Sequence, residues 1–430
     1  MKLQFINHSS FSVQHDGIYL VIDPWIEGRV FNNGWDLITP SPFKYEEFEK
    51  VTHIWFSHEH PDHFFPPNLN KIPETFRKKI TVLFQETKDK RVVNYCRKIG
   101  FQEVIEMHPD TFIDLSPDLK VLCEHYQEGD SWILIKSKAF SIFNTNDCGI
   151  RDKFEADKIK QKVGNIDLLL TQFSYAYWAG NRNQQALRRK IADEKLEGLK
   201  FQVDVFKPEA VIPIASFVWF CHEENYYLND EINTPQKVFN FIKNNTAATP
   251  VILYPGEEYW KGKSHDSIES IKHYESDYLK IQQTNDLVKT IPVEESELVN
   301  QANSFVGKLR QNFGIWSRLL KPAKIFVTDY QKAFILDLNN GMTTASDISE
   351  IQCDASLSSE SLAFNFKFPW GNDTLGINGR YQRPEEGNYS RFYNFFRYDQ
   401  LASRGIKIGL GYLIRMLARR LMVKVGLQKI

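Results

Sequence analysis

Short apolar segments with the period of a strand alternate along the first 260 residues with longer segments that have the period of a helix. LQFINH and FSVQHDGIYLVIDP alternate apolar and polar positions, and Asp16-Gly17 inside the second segment predicts a hairpin turn. HIWFSH is almost wholly apolar, which is typical of a buried central strand. Further strands are predicted at KITVLFQE, EVIEM, residues 132–145, IDLLLTQF, AVIPIASF and PVILYP, and helices at KRVVNYCRKIG and residues 183–204. This alternation predicts a layered α/β domain over residues 1–261.

The pattern changes twice in the rest of the chain. Residues 262–320 are charged and lack strand signals, which predicts a helical linker that is broken near Pro292. Residues 322–400 return to predicted strands at KIFVTDY, KAFILDL, ISEIQCDASLSS and DTLGINGRYQ. We therefore expect domain boundaries near residues 261 and 321, with a smaller α+β domain at residues 321–430.

Length and composition fit a multidomain globular protein. The chain has 430 residues, more than one hydrophobic core usually serves, with 42% hydrophobic and 25% charged residues. A formal net charge of -1 gives no electrostatic basis for binding nucleic acid. The five cysteines form no CxxC pair, which excludes a zinc ribbon, and the two cysteine–histidine motifs of a Rieske centre are not both present. Sparse cysteines and an N-terminus without an apolar signal region predict a cytoplasmic location.

The segment SHEHPDHF carries the strongest chemical signal. His58, His60, Asp62 and His63 follow directly after an apolar strand. Residues 58 and 60 of a strand point to the same side, and a turn at Pro61 would bring the other two side chains in from a different direction. Imidazole and carboxylate groups in this layout can hold two adjacent metal ions, one at each pair. The alternative is a polar loop with exposed histidines, which such a dense cluster disfavours.

This HxHxDH pattern resembles the motif of the metallo-β-lactamase superfamily, and the resemblance covers about residues 1–260. It implies an αββα sandwich with the metal site at one edge. The closest resemblance is to a branch that opens with HxSF and DPW segments, here HSSF and DPW. That branch includes ascorbate-phosphate lactonase, phospholipase-D-type hydrolases of N-acyl ethanolamine lipids and CMP-N-acetylneuraminate hydroxylase. Within these segments we expect His8 to cap a strand and Asp23 to orient a metal-binding histidine, both near the site and not in it.

The resemblance implies three further metal ligands. By position they are His125, Asp147 as the carboxylate that bridges the ions, and His222. Glu124 and Glu128 are alternatives to His125, and a carboxylate at that place would favour iron over zinc. An ordinary turn aspartate is the alternative reading of Asp147. His222 departs from the family pattern, because it follows the strand AVIPIASF by several residues.

Four other residues are candidates for substrate binding. Arg29 lies in EGRVFNNGW, and Tyr177, Trp178 and Arg182 lie in the aromatic segment FSYAYWAGNRN. Aromatic rings with a few polar groups are typical of a ligand pocket, and an arginine can bind a phosphate or a carboxylate through two hydrogen bonds. The alternative is a pair of loops that cover the core.

The C-terminal part resembles a sterol-carrier-protein-2-like fold over residues 325–400. This resemblance implies substrate gating, lipid contact or dimerisation, with a stabilising domain that binds no ligand as the alternative. Residues 406–425 combine a helical apolar stripe with arginines, so a basic helix on the membrane surface is one reading, and packing on its own sheet is the other.

Three functions are compatible with these residues. The first is a metal-dependent hydrolase in which a metal-activated water attacks an ester, lactone, phosphodiester or amide. It would use two divalent ions, zinc first, with iron or manganese as alternatives, and its acid–base residues would be Asp62 and Asp147. His58, His60 and His125 would bind one ion and Asp62, His63 and His222 the other. The second is a di-iron oxygenase that hydroxylates a nucleotide sugar or related small molecule with an external electron donor. The third is a non-catalytic lipid-binding or partner-binding protein with a vestigial metal site. The partner expected in the first two cases is a small-molecule substrate, and a homodimer is a further option.

Overall fold

The structure is a computed structural model that describes residues 1–127, 129–313 and 320–403. Its strands β1 to β20 are Lys2–Asn7, Ser10–His15, Ile18–Ile22, Trp35–Leu37, His53–Phe56, Thr81–Gln85, Glu103–Met107, Ile113–Ser116, Leu119–Tyr126, Asp130–Lys136, Ser141–Asn144, Leu168–Gln172, Ala210–Ile214, Val218–Phe220, Thr249–Pro250, Glu258–Tyr259, Ala323–Val327, Lys332–Asp337, Gly341–Thr344 and Ala355–Leu357. Its helices α1 to α11 are Pro66–Lys71, Glu74–Arg77, Arg91–Lys98, Lys153–Val163, Gln185–Phe206, Pro235–Asn245, Ser267–Gln282, Glu295–Phe313, Ser359–Lys367, Gly371–Asn378 and Tyr389–Ser403. The predicted α/β class is confirmed.

The first seven-stranded sheet has the order β16-β1-β2-β3-β5-β6-β7. Strands β1, β2 and β3 are antiparallel, and β3, β5, β6 and β7 run parallel to one another. The turn between β2 and β3 is the predicted one, with positive φ angles at Asp16 (47°) and Gly17 (78°) as a tight hairpin requires. The parallel half of the sheet places the carboxyl end of β5, where the metal motif begins, next to the end of β3.

The second seven-stranded sheet has the order β15-β13-β12-β11-β10-β9-β8. The predicted hairpin at residues 132–145 is present as β10 and β11, and the buried strands β11, β12 and β13 run parallel. The predicted strand PVILYP is wrong over most of its length, because only Thr249–Pro250 pairs with a neighbouring strand. Val251, Ile252 and Leu253 are buried all the same, so their apolar pattern reports burial and not strand pairing.

The sheets and helices form the expected αββα layers. Ile54 and Phe56 of β5 share a buried cluster with Leu69 of α1 and Val93 of α3. Trp55, between them in sequence, is fully buried and faces the opposite side of the sheet, because neighbouring strand residues alternate. On that side β6 and β7 lie against β9 of the second sheet, whose other face is covered by α5. The sandwich thus packs around β5 and β11, and candidate metal ligands follow the end of each of these strands.

The chain divides into two compact units. The first comprises residues 1–179, 185–221 and 228–287, and the second comprises residues 180–184, 222–227 and the chain from residue 288 onward. The sequence predicts boundaries near 261 and 321, whereas α7 belongs to the first unit and α8 to the second. Within the predicted linker, the helices Ser267–Gln282 and Glu295–Phe313 thus belong to different units, and the domain boundaries near 261 and 321 stay a prediction.

The second unit contains a four-stranded sheet in the order β19-β18-β17-β20. The strand prediction for DTLGINGRYQ is wrong: this segment contains most of α10, which ends at Gly379 with a left-handed φ of 66°. The Asn378-Gly379 pair resembles a hairpin turn in sequence, but here the glycine caps a helix. In ISEIQCDASLSS only Ala355–Leu357 is a strand. The likeness of this region to a sterol carrier protein stays a prediction.

The predicted basic helix at residues 406–425 lies outside the described residues. Within the part of the chain that the structure describes, no helix combines the length and apolar character needed to cross a lipid bilayer.

Candidate metal centre

A tight turn after β5 gathers the motif residues. The backbone carbonyl of His60 accepts hydrogen bonds from the amides of His63 and Phe64, at 3.0 and 2.7 Å. This turn reverses the chain, so that His63 returns to the end of β5 beside His58, with the two ring centroids 4.2 Å apart. Nε2 of His58 and Nδ1 of His60 lie 2.9 Å apart, which confirms that these two rings face the same side.

One potential metal-binding group consists of His58, His63 and Asp147. The Oδ2 atom of Asp147 lies 3.9 Å from Nε2 of His58 and 3.3 Å from Nε2 of His63. Asp147 follows the end of β11, so the two sheets of the sandwich each contribute to this group. The structure therefore brings Asp147 to the motif, as the sequence predicts.

A second group consists of His8, Asp62 and His63. The Oδ2 atom of Asp62 lies 3.2 Å from Nε2 of His8 and 3.2 Å from Nε2 of His63. His8 lies between β1 and β2 with a φ of 32°, next to a register irregularity, and its side chain is buried. The sequence places His8 only near the site, whereas the structure makes it a potential ligand. Because His63 belongs to both groups, the two metal positions would be adjacent.

Asp23 fixes the orientation of the two central histidines. Its carboxylate accepts hydrogen bonds from the amide and the hydroxyl of Ser57, both at 2.7 Å, and from Nδ2 of Asn146 at 2.5 Å. Nδ1 of His63 lies 2.9 Å from the same carboxylate, and Nδ1 of His58 lies 2.9 Å from the Ser57 hydroxyl. Protons on both Nδ1 atoms leave both Nε2 atoms free to bind metal, as buried carboxylates commonly arrange. The expected supporting role of Asp23 matches this geometry.

The donor atoms fit metal ions. Nε2 of His63 and Oδ1 of Asp62 are buried and make no aligned hydrogen bond, although such atoms are normally paired. Burial raises the pKa of Asp62, but His63 lowers it by more, so that it lies well below its ordinary value. Burial and His63 act on Asp147 in the same opposing way, and its pKa is about 2. Both carboxylates are therefore charged near neutral pH and face a position that suits a cation.

The two central histidines differ in charge. Burial lowers the pKa of His58 well below its ordinary value, and its histidine neighbours add to this effect. Burial also works against charge on His63, but Asp62, Asp147 and Asp23 together raise its pKa well above the ordinary value. A proton on Nε2 of His63 would occupy the place between carboxylates that a metal ion would take. Metal binding is therefore expected to displace that proton.

Asp130 is a site residue that the sequence reasoning missed. Its Oδ1 atom lies 3.9 Å from Nε2 of His58, and burial, together with the charge of Asp147, raises its pKa to about 6. Asp130 is the first residue of β10 and directly follows Gly129. In the sequence, an aspartate after a glycine indicates only a turn. An acidic residue at the start of the strand that leads to Asp147 is the signal that could have identified it.

The predicted ligand His125 is not in either group. Nδ1 of His125 lies 2.9 Å from Oε1 of Gln85, and the side chain is exposed. Its neighbour Tyr126 is buried on the opposite face of β9, because successive strand residues alternate. Of the alternatives, Glu124 forms an ion pair with Lys162 at 2.6 Å, and Glu128 lies outside the described residues. Asp130, across the hairpin, brings the carboxylate to the centre instead.

The predicted ligand His222 is not in either group. It is fully buried in the second unit, where Nδ1 lies 3.7 Å from Glu224 and Nε2 lies 3.9 Å from Glu360. The guanidinium of Arg380 binds both of these carboxylates. His222 comes too late after its strand to follow the family pattern, and the structure assigns it to this separate polar network.

Among the predicted substrate-binding residues, the two arginines have intramolecular partners. Nε of Arg29 donates to Asp36 at 3.2 Å. The guanidinium of Arg182 donates to the backbone carbonyls of Glu223 and Glu224 at 3.1 and 3.2 Å. These bonds give Arg182 a structural role within the second unit. Substrate contact by either residue stays a prediction.

The two predicted aromatic residues lie at the end of the segment that follows β12. Trp178 is partly buried, and Tyr177 is at the surface with 36% of its area exposed. The ammonium group of Lys195 lies 5.1 Å from the centroid of the Tyr177 ring. Lys195 in turn donates to Gln172, whose amide donates to Oδ1 of Asp147 at 3.3 Å. Tyr177 is therefore connected to the metal centre through neighbouring side chains, and its role toward a substrate stays a prediction.

Asp23→Ala is expected to weaken metal binding by about 10- to 100-fold, as losses of such supporting carboxylates typically do. The reason is that His63 loses the acceptor of its Nδ1 proton, and the Ser57 hydroxyl beside Nδ1 of His58 loses the carboxylate to which it donates. Competition with a chromophoric chelator measures the affinity. Asp36→Ala, which removes a carboxylate paired with Arg29 outside the centre, is the matched control and should leave it unchanged. Equal affinities in wild type and Asp23→Ala would contradict this role.

Comparison with known proteins agrees with the fold. Residues 2–114 match the family model described as the beta-lactamase superfamily domain. This match supports a metallo-β-lactamase superfamily domain at the start of the chain and includes the whole motif from His58 to His63.

Two curated relatives and one solved structure are similar over part of the chain. A protein of Mycolicibacterium smegmatis with the provisional name of a Rieske 2Fe-2S iron-sulfur protein is 22% identical over 254 residues, or 56% of this chain and 48% of its own. The cytidine monophosphate-N-acetylneuraminic acid hydroxylase of Mus musculus is 22% identical over 273 residues, or 60% and 46%. The chain thus spans about half the length of these relatives. The isothiocyanate hydrolase from Delia radicum gut bacteria shares 14% identity over 60% of this chain and 98% of its own, with a TM-score of 0.44.

Proposed function

We propose that this protein is a metal-dependent hydrolase with a dinuclear centre that acts on an ester, lactone, phosphodiester or amide bond of a small molecule. The observation that carries the proposal is the position of Nε2 of His63. This buried atom makes no aligned hydrogen bond and lies between carboxylate oxygens of Asp62 and Asp147, at 3.2 and 3.3 Å. This nitrogen can bind only one ion, so the two carboxylates that converge on it leave oxygen donors for a second, adjacent cation.

Each residue of the centre has a distinct role. His58, His63 and Asp147 would hold one ion, and His8, Asp62 and His63 border the position of the other, with His60 as a further ligand beside His58. Two bound divalent ions supply Lewis acidity and lower the pKa of water. Asp62 and Asp147 keep their charge and fix the donor geometry, while Asp23 holds the Nδ1 proton of His63. Asp130, partly open to solvent, is placed to hold or release a proton at Oδ1 during the reaction.

A di-iron oxygenase is the second candidate, and Asp130 is the observation that favours it. With Asp62, Asp147 and Asp130 the centre has three carboxylates, and oxygen ligands shift the preference of a site away from zinc. One relative is named as a hydroxylase and another as an iron–sulfur protein. This chain does not contain both cysteine–histidine motifs of a Rieske centre, so such an activity would need electrons from another protein.

Metal content together with two assays separates these candidates. We expect protein purified without added metal to contain about two ions per chain, as a dinuclear site requires. The hydrolase predicts zinc or another divalent ion and release of product from a panel of p-nitrophenyl esters and phosphodiesters without oxygen or reductant. The oxygenase predicts iron with a visible absorption band and oxygen consumption in the presence of a reductant. Protein that takes up neither zinc nor iron would contradict both candidate functions.

A further inference from the structure

Lys195 is an internal cation next to the metal centre. It lies on α5, partly buried, and its ammonium group donates to Oε1 of Gln172. Nε2 of Gln172 donates to Oδ1 of Asp147, the carboxylate whose other oxygen faces the two central histidines. Burial lowers the pKa of Lys195 to about 8, against the attraction of Asp147. Two hydrogen bonds thus connect this lysine to the candidate metal ligands.

Arg151 places a second cation at the same location. Its Nη2 donates to the backbone carbonyl of Glu194 at 2.8 Å, and the guanidinium lies across α5 at Gly198. A Cβ at residue 198 would come within 2.9 Å of Nε of Arg151, so the glycine makes room for the arginine. Glu194 directly precedes Lys195, and the ammonium group of Lys195 lies 5.1 Å from the centroid of the Tyr177 ring, so the three side chains lie close together.

Neither cation is neutralised by the protein. Within the described part of the chain, Lys195 and Arg151 form no ion pair with a carboxylate, and their hydrogen bonds go to neutral oxygens. The negative charge of Asp147 stabilises the positive charge of Lys195 only while the centre lacks metal. Two divalent ions would reverse the local charge, and a cation beside them would then be repelled. An anion bound at this place would remove that repulsion.

We propose that Lys195 and Arg151 bind an anionic group of the substrate, a carboxylate or a phosphate, at the edge of the metal centre, with the ring of Tyr177 packed beside it. This inference rests on the proposed metal-dependent function and narrows its substrates to anionic molecules. Lysine and arginine are the side chains that bind such groups most strongly, through charge-assisted hydrogen bonds.

The test is calorimetric binding of inorganic phosphate and of succinate to the metal-loaded full chain. Wild type is compared with Lys195→Met, Arg151→Met and the control Lys190→Met, an exposed lysine on the same helix. We expect Lys195→Met to weaken binding of at least one anion about tenfold or more, as loss of a charge-assisted hydrogen bond does. Arg151→Met should weaken it less because this residue is exposed, and Lys190→Met should bind as wild type does. The anion with the greater dependence on Lys195 identifies the group that the site prefers.

Metal content and thermal melting, measured on each variant, keep the interpretation unambiguous. Variants that retain two ions and the wild-type melting temperature but bind both anions as wild type does would overturn the inference while leaving the proposed function intact. The inference would also be overturned if anion binding disappears when the metal is removed but is unaffected by Lys195→Met. In that case the metal ions alone would bind the anion. Wild-type protein that cannot be loaded with metal would overturn the proposed function itself and, with it, this inference.

Discussion

His63→Ala is expected to abolish stable binding of both metal ions. Any activity that depends on these ions should then fall by at least about 1,000-fold. The reason is that Nε2 of His63, which can bind one ion, also lies 3.2 and 3.3 Å from carboxylate oxygens of Asp62 and Asp147, which belong to the two groups of potential ligands. The substitution removes a ligand of one ion and leaves the carboxylate that faces the other ion without its neighbour. Elemental analysis after dialysis against metal-free buffer gives the number of ions per chain.

His125→Ala is the matched control for this experiment. Both substitutions remove an imidazole, but His125 is exposed and contacts Gln85. We expect the His125 variant to retain two ions and full activity. If His63→Ala keeps one tightly bound ion, the role assigned to His63 is wrong. If His125→Ala loses an ion, His125 is a metal ligand, as its family position implies.

Arg380→Met is expected to destabilise the protein by about 3–5 kcal/mol, the usual effect of removing one partner from a buried ion pair. The Arg380 side chain is fully buried and binds Glu224 and Glu360, which are 16% and 18% exposed. Methionine would fill the space but leave both carboxylates without their cation. Urea denaturation of the full chain measures the free energy of unfolding.

Arg391→Met is the control for the Arg380 experiment. Arg391 lies 3.9 Å from Asp354 and is 40% exposed, so its loss is expected to change stability by less than about 1 kcal/mol. Equal, small effects of both substitutions would show that the buried network of the second unit contributes little to stability.

The parts of the centre that lie close together in sequence could be predicted from it. His58, His60, Asp62 and His63 lie within six consecutive positions after an apolar strand, and both the period of the strand and the turn at Pro61 are local features. Asp147 could be predicted because it ends the hairpin that the resemblance requires. In these cases a short-range pattern determines where the side chain points.

The residues that were missed depend on long-range geometry. His8 enters the centre through an irregularity between β1 and β2, and no pattern of apolar residues reports such a change in register. Asp130 replaces His125 because one residue of register decides which side chain of a hairpin faces inward. Lys195 lies on a charged amphipathic helix where a lysine is ordinarily solvated, and only the packing of α5 places it beside Gln172.

The same distinction applies to the fold. Strands β5, β12 and β13 could be predicted because most of their residues are buried and apolar. The segment DTLGINGRYQ could not, since its Asn-Gly pair is compatible with both a hairpin turn and the end of a helix. Tertiary packing decides whether the hairpin turn or the helix end forms.

Anomalous X-ray scattering from crystals of the metal-loaded protein, collected at the zinc and iron absorption edges, tests the central claim most directly. We predict two peaks roughly 3.5–4 Å apart, as in other dinuclear enzyme sites, with Nε2 of His63 bound to one of them and Asp147 in contact with at least one. The edge at which the peaks appear identifies the metal. A single peak, or peaks away from His63 in protein that has taken up metal, would contradict the account.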